Sequence, residues 1–207
     1  MSGVFIAQSI IYAYIIGSIP TAYLVGRFRK GIDIREVGTR NMGAMNVFYT
    51  VGVPYGIFVL AVDIAKGAGA VLLARGLDTP VEVQLIAGGF AVIGHAFPIF
   101  LKFRGGKGGA TCIGVLGLLM PWAIPYGAGI FAVALLITRY PTLSYSLALG
   151  CTPFVAWLGY HDGMLVLFSV LLLLIPVIRY IPRIKEMREK AGSWRHVVQR
   201  KSLQDRF

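Results

Sequence analysis

Charged residues are scarce in this chain, and acidic residues are the scarcer kind. Asp, Glu, Lys and Arg make up 14% of the 207 residues, with 9 acidic side chains against 20 basic ones, whereas a soluble domain has about 25% charged residues. Hydrophobic residues account for 57% of the chain, and the mean hydropathy is +0.72. This composition excludes a disordered chain. It also excludes a water-soluble nucleic-acid-binding domain, which a pI of 10.0 alone would suit, so we expect no nucleic-acid partner.

Several signatures of catalysis and of metal binding are missing as well. Cys112 and Cys151 are isolated in apolar runs, which excludes a disulfide-stapled secreted domain and offers no metal-ligand spacing. We therefore expect no metal and no cofactor. No histidine has an aspartate five residues after it, and there is no Gly-x-Ser-x-Gly elbow and no Walker A loop.

Apolar runs long enough to cross a bilayer, which takes roughly 20 residues, fill most of the chain. The longest, residues 110–138, holds 29 residues without a charge, and the turn signal from Pro121 to Pro125 divides it into two helices, the first short or half-spanning. We predict an all-α, polytopic membrane protein with seven transmembrane segments. The segments are residues 4–25, 51–74, 83–101, two within 110–138, 143–160 and 164–178.

The basic residues orient these segments, because loops rich in Lys and Arg stay on the cytoplasmic side. Four regions carry net charges of +3, +3, +1 and +6, while the opposite loops together carry −2. This pattern predicts the N-terminus outside and the C-terminus in the cytoplasm. We expect one membrane domain, residues 1–182, and a basic cytoplasmic tail, residues 183–207. The four basic regions are residues 27–41, 102–107, 139 and 179–207.

The densest polar motif lies where the third segment meets the cytoplasm and a helix begins. Its glycines let backbone N–H groups converge, the helix N-terminus adds partial positive charge, and two basic side chains add full charges. This combination predicts an anion cradle for a phosphate. The alternative is a flexible glycine turn with ordinary positive-inside residues. The motif comprises Arg104, Gly105, Gly106, Lys107, Gly108, Gly109 and Thr111.

A second polar motif follows the first basic region. Thr39, Asn41 and Asn46 supply short hydrogen-bonding groups, and Arg40 can grip a phosphate with two parallel hydrogen bonds. A stretch this polar must lie in the cytoplasm or line a wet cavity. The alternative is a capped loop in which Thr39 or Asn41 begins the next helix.

Three ionisable residues lie inside apolar segments. His95 precedes the glycine-rich motif by about two helical turns. Such a residue points to function by default, but a histidine satisfied by a nearby carbonyl is an equal alternative. Asp63 and Lys66 are three residues apart on one helical face, which favours a self-neutralising pair that pins helices together.

These motifs together resemble the bacterial acyl-phosphate-dependent glycerol-3-phosphate acyltransferases, the PlsY family, from about Gly17 to Arg183. The most specific match runs from Gly94 to Thr111, and residues 63–67 match the family's Asp-x-x-Lys-Gly element. The resemblance implies a protein of the bacterial inner membrane that transfers a fatty acyl group from acyl phosphate to glycerol 3-phosphate and forms lysophosphatidic acid. It further implies contact with membrane lipids and with the soluble enzyme that forms acyl phosphate.

The sequence departs from the family pattern at several positions. Tyr49 stands where the family has arginine, and Tyr180 and Arg183 stand where it has histidine and asparagine. The short loop that has a serine in the family contains Arg139 and Thr142 here. We hypothesise that Arg40 and Arg183 restore the lost charge from new positions.

The resemblance and the residue types together suggest a role for each candidate site residue. Lys107 and the glycine-rich motif hold phosphate and stabilise the leaving group, with Arg139, Thr142 and Arg183 as further phosphate contacts. Thr39, Asn41 and Asn46 orient the acyl carbonyl or the attacking hydroxyl. No general base is evident: His95 is the only histidine near a motif, and the alternative proton acceptor is the substrate's own phosphate. Three other functions remain open: a paralogue using another phosphorylated acceptor, an anion transporter, and a non-catalytic lipid- or anion-binding protein.

Overall fold

A computed structural model describes residues 3–192 and residue 194. Within that part the chain is helical without strands, and it forms two compact units, one ending at Leu119 and one beginning at Met120. The helices are α1 Gly3–Ser18, α2 Thr21–Lys30, α3 Ala44–Thr50, α4 Val53–Gly76, α5 Val81–Ala96, α6 Gly109–Leu119, α7 Ala123–Thr138, α8 Pro141–Gly150, α9 Thr152–Val155 and α10 Gly163–Ala191, with a 3₁₀ turn at Ile99–Leu101 and a π turn at Ala156–Tyr160.

Four helical stretches are long and apolar enough to cross a membrane. They are Gly3–Lys30, Val53–Gly76, Val81–Leu101 and Gly163–Glu189, and two shorter apolar helices are Gly109–Leu119 and Ala123–Thr138. The predicted division of residues 110–138 is therefore confirmed, since α6 ends just before Pro121 and α7 begins at Ala123.

Two predicted segments are interrupted. The first breaks between α1 and α2 at Pro20, which lacks an N–H and disfavours a helical residue before it. The segment 143–160 is divided into α8, α9 and the π turn. The predicted tail begins inside α10, and residues 193 and 195–207 lie outside the described residues, so the tail stays a prediction.

Glycines set the close packing of the first unit, in which α1 lies against α5 and α4 against α6. A Cβ on Gly17 would overlap the carbonyl oxygen of Ala91, and a Cβ on Gly94 would overlap that of Tyr14. Small residues of this kind let helix backbones approach within a membrane. The Tyr14 hydroxyl also donates to the Phe97 carbonyl oxygen at 2.8 Å, which fixes the end of α5 against α1.

The contact between α4 and α6 gives a direct test of this packing. A Cβ on Gly67 would overlap the carbonyl oxygen of Thr111, whereas a Cβ on Gly69, also in α4, would meet nothing within 4 Å. We expect Gly67→Ala to lower the free energy of unfolding by about 2 kcal/mol. Gly69→Ala is expected to leave it unchanged or raise it by up to about 1 kcal/mol. Thermal unfolding of both variants in detergent checks this, and equal transition temperatures would contradict it.

Candidate active site

The motif around Thr39 is organised by one buried side chain. Asn46, on α3, is 0% exposed. Its Oδ1 accepts a hydrogen bond from the Thr39 N–H at 2.9 Å. Its Nδ2 lies 2.7, 3.0 and 3.1 Å from the carbonyl oxygens of Ile34, Val37 and Asn41. The carboxamide is thus hydrogen-bonded to the backbone of the loop formed by residues 31–43.

The backbone of that loop turns sharply on either side of Thr39. Gly38 and Arg40 have φ angles of +59° and +53°, and a Cβ on Gly38 would overlap the Asn46 Oδ1. Glycine is the residue that takes such a conformation without strain. Arg40 is exposed, and Thr39 and Asn41 are half-buried, so these three side chains are accessible from outside the loop.

Two ionic contacts tie the loop together and join it to the glycine-rich motif. The Arg35 guanidinium lies 2.6 Å from the Asp33 carboxylate and lowers the pKa of that carboxyl below its ordinary value by hydrogen bonding. Arg35 also donates to the Leu101 carbonyl oxygen at 3.3 Å. The Arg104 guanidinium lies 2.9 Å from the Glu36 carboxylate, so the two predicted polar motifs are neighbours.

The glycine-rich motif forms a tight loop, residues 102–108, directly before α6. Lys102 and Phe103 have φ angles of 53° and 60°, and Gly108 has φ +85°. Gly105, Gly106 and Gly108 are buried, while Lys107 is half-buried. Since α6 begins at Gly109, the loop lies at a helix N-terminus, where partial positive charge favours an anion.

Thr111 lies in the first turn of α6 and is 0% exposed. Its hydroxyl is buried and has no hydrogen-bond partner within the described residues. The predicted phosphate contact at this residue would thus require a ligand that reaches the interior of the first unit.

The three ionisable residues of the apolar segments lie together. The Lys66 ammonium is 2.7 Å from the Asp63 carboxylate, as the predicted self-neutralising pair requires. It also donates to the Ile19 carbonyl oxygen, in the break between α1 and α2, at 2.8 Å, and lies 3.3 Å from His95 Nδ1. All three side chains are at most 4% exposed. The spacing along α4 predicts the pair, but no sequence signal predicts that His95 of α5 joins it.

The remaining predicted contacts belong to the second unit. Arg139 is exposed and ends α7 with φ 52°, and Thr142 is half-buried in the first turn of α8. Arg183 belongs to α10, and its side chain lies outside the described residues. Tyr180 packs against a cluster of Tyr140 and Met187. Among the described residues, no group of three His, Cys, Asp or Glu side chains could hold a metal ion.

Comparison with known proteins identifies the class of this molecule. Its fold matches that of PlsY (YgiH), an integral membrane glycerol 3-phosphate acyltransferase solved in its glycerol 3-phosphate form, with a TM-score of 0.81 and 28% identity over 90% of this chain and 92% of that one. Together with the apolar helices, this match shows a polytopic all-α membrane protein.

Its sequence relatives identify the family. A sequence model described as glycerol-3-phosphate acyltransferase matches residues 7–190. The chain is 52% identical to "Glycerol-3-phosphate acyltransferase 2" of Dehalococcoides mccartyi over 96% of each chain. It is 42% identical to the glycerol-3-phosphate acyltransferase of Bacillus subtilis over 89% of this chain and 95% of the relative. The chain therefore belongs to the glycerol-3-phosphate acyltransferase family of PlsY type, and the resemblance seen in its motifs is confirmed.

Proposed function

We propose that this chain transfers a fatty acyl group from acyl phosphate to the 1-hydroxyl of glycerol 3-phosphate, forming lysophosphatidic acid and phosphate. The observation that carries the proposal is the contact between two polar loops, one of glycines with Lys107 at the start of α6 and one that presents Thr39, Arg40 and Asn41. Both substrates carry phosphate, and the paired loops supply backbone N–H groups, a helix N-terminus and cationic side chains for it.

The reaction needs positioning and charge stabilisation more than a strong base. The hydroxyl oxygen of the acceptor bonds to the acyl carbonyl carbon, and the bond from that carbon to the phosphate oxygen breaks. The hydroxyl proton passes to the departing phosphate. Lys107, Arg104 and the backbone N–H groups at the N-terminus of α6 stabilise the charge on that phosphate, while Thr39 and Asn41 orient the hydroxyl or the carbonyl.

Asn46 stabilises the loop that carries Thr39 and Asn41. The Asn46 carboxamide forms hydrogen bonds with the Thr39 N–H and with three loop carbonyl oxygens. We therefore propose that Asn46 positions Thr39 and Asn41 and does not contact the substrate. Arg40, Arg139, Thr142, Arg183 and Thr111 are proposed as further phosphate contacts.

The distribution of basic residues supports a proposal for the membrane topology. We propose seven transmembrane segments in a bacterial inner membrane, with the N-terminus outside and both polar loops in the cytoplasm. A cytoplasmic site suits a donor delivered by the soluble enzyme that makes acyl phosphate and an acceptor that is itself soluble.

An acceptor-dependence assay tests the function. Purified protein is given palmitoyl phosphate with and without glycerol 3-phosphate, and released phosphate and lysophosphatidic acid are measured. We expect equal amounts of the two products, and only with the acceptor present. Phosphate release at the same rate with and without the acceptor would contradict acyl transfer. If product formed only when dihydroxyacetone phosphate replaced glycerol 3-phosphate, the acceptor would be a different one.

A further inference from the structure

The Lys66 ammonium is in contact with three neighbouring groups. An ammonium group has three N–H donors and no acceptor. Three oxygen or nitrogen atoms lie within reach of it, those of Asp63, Ile19 and His95, at 2.7, 2.8 and 3.3 Å. These partners come from α4, from the break between α1 and α2, and from α5, so the lysine joins three elements of the first unit.

This contact determines the state of the His95 ring. Because Lys66 can only donate, the His95 Nδ1 that faces it must accept, and an imidazole that accepts at Nδ1 carries its proton on Nε2. The Asp63 carboxylate oxygen, 3.8 Å from Nδ1, lies closer to the ammonium, at 2.7 Å, and so pairs with it. His95 is therefore neutral, with an N–H at Nε2.

The opposite edge of the ring lies against the glycine-rich loop. A Cβ on Gly106 would overlap both His95 Nε2 and the carbonyl oxygen of Met42, which precedes α3. The Gly106 N–H donates to the His95 carbonyl oxygen at 3.1 Å. The backbone and the side chain of His95 thus both lie against Gly106, the residue next to Lys107.

We infer that His95 is a positioning residue: held by Lys66 as the neutral Nε2–H form, it fixes Gly106 and thereby places Lys107, and it does not act as a general base. Its ring nitrogen nearest the loop presents a proton, whereas a base must present a lone pair there. The kinetic part of this inference rests on the proposed function.

Substitution of His95 by glutamine and by alanine separates the two roles. The glutamine amide nitrogen reaches the position of Nε2 and keeps an N–H donor without a basic nitrogen. We expect His95→Gln to retain kcat/KM for glycerol 3-phosphate within about fivefold, and His95→Ala to lower it by about twentyfold or more, chiefly through KM. A general base predicts that both variants lose kcat equally, and that result would overturn the inference. His161→Ala, at an exposed histidine of the second unit, is the matched control and should behave as wild type.

A second measurement decides the inference even if the chain proves inactive toward glycerol 3-phosphate. Hydrogen exchange of peptides covering residues 103–109 should rise in His95→Ala and stay at the wild-type level in His95→Gln. It should also rise in the double variant Asp63→Leu with Lys66→Met, which removes the donor to Nδ1 without leaving a buried charge unpaired. Unchanged exchange in His95→Ala would overturn the positioning role, whereas a wild-type protein that fails to acylate glycerol 3-phosphate overturns only the proposed function.

Discussion

Replacing Lys107 with alanine is expected to lower the turnover of acyl phosphate by more than about tenfold at saturating glycerol 3-phosphate. The lysine lies in a loop whose neighbouring glycines are buried and whose end is the N-terminus of α6. Its charge therefore acts beside oriented N–H groups in surroundings poorer in water than bulk solvent, where electrostatic stabilisation of a departing phosphate is strong. Steady-state release of lysophosphatidic acid by the purified variant measures the effect.

Lys102→Ala is the matched control for this loss. Lys102 belongs to the same loop and carries the same charge, but it is exposed and precedes the buried glycines. Removing it changes the net charge of the protein equally, so we expect turnover within about twofold of wild type. Equal losses in the two variants would mean that general attraction of anions, and not a phosphate site at Lys107, explains the effect.

The features predictable from the sequence are those with local causes. Pro121 lacks an N–H and stops α6, and the three-residue spacing of Asp63 and Lys66 puts them on one helical face. The glycine-rich loop is likewise recognisable because its residues are contiguous. The break at Pro20 has the same kind of signal, but the long apolar run around it hides the interruption. The predicted segment 4–25 still lies within one stretch, Gly3–Lys30, that is long and apolar enough to cross a membrane.

Contacts between distant residues were beyond prediction because side-chain pairing across helices depends on packing that no local pattern encodes. Glu36 pairs with Arg104 across 68 positions, and Lys66 meets His95 across 29. The role of Asn46 was equally unpredictable, because an asparagine in a polar motif is compatible both with contact to the substrate and with support of the loop backbone. Only the positions of the loop carbonyls around it favour support.

Changing Asn46 to aspartate tests that role and is expected to be among the most damaging single substitutions in the first unit. The shape is preserved and Oδ1 still accepts from Thr39, but the second oxygen would face the carbonyl oxygens of Ile34, Val37 and Asn41 without a proton to donate. A buried polar atom in such surroundings costs about 2–4 kcal/mol. We expect a clear fall in the thermal transition temperature in detergent and loss of acyl transfer by about a hundredfold or more.

Asn41→Asp distinguishes support from substrate contact. Asn41 is half-buried, unlike Asn46, so a carboxylate at this position keeps part of its hydration and costs little stability. Its negative charge would still repel a phosphate substrate, so we expect reduced acyl transfer with a transition temperature close to that of wild type. If Asn46→Asp instead kept the wild-type transition temperature and lost only turnover, its carboxamide would have to act on the substrate directly, since weakening of the loop 31–43 must lower stability together with activity.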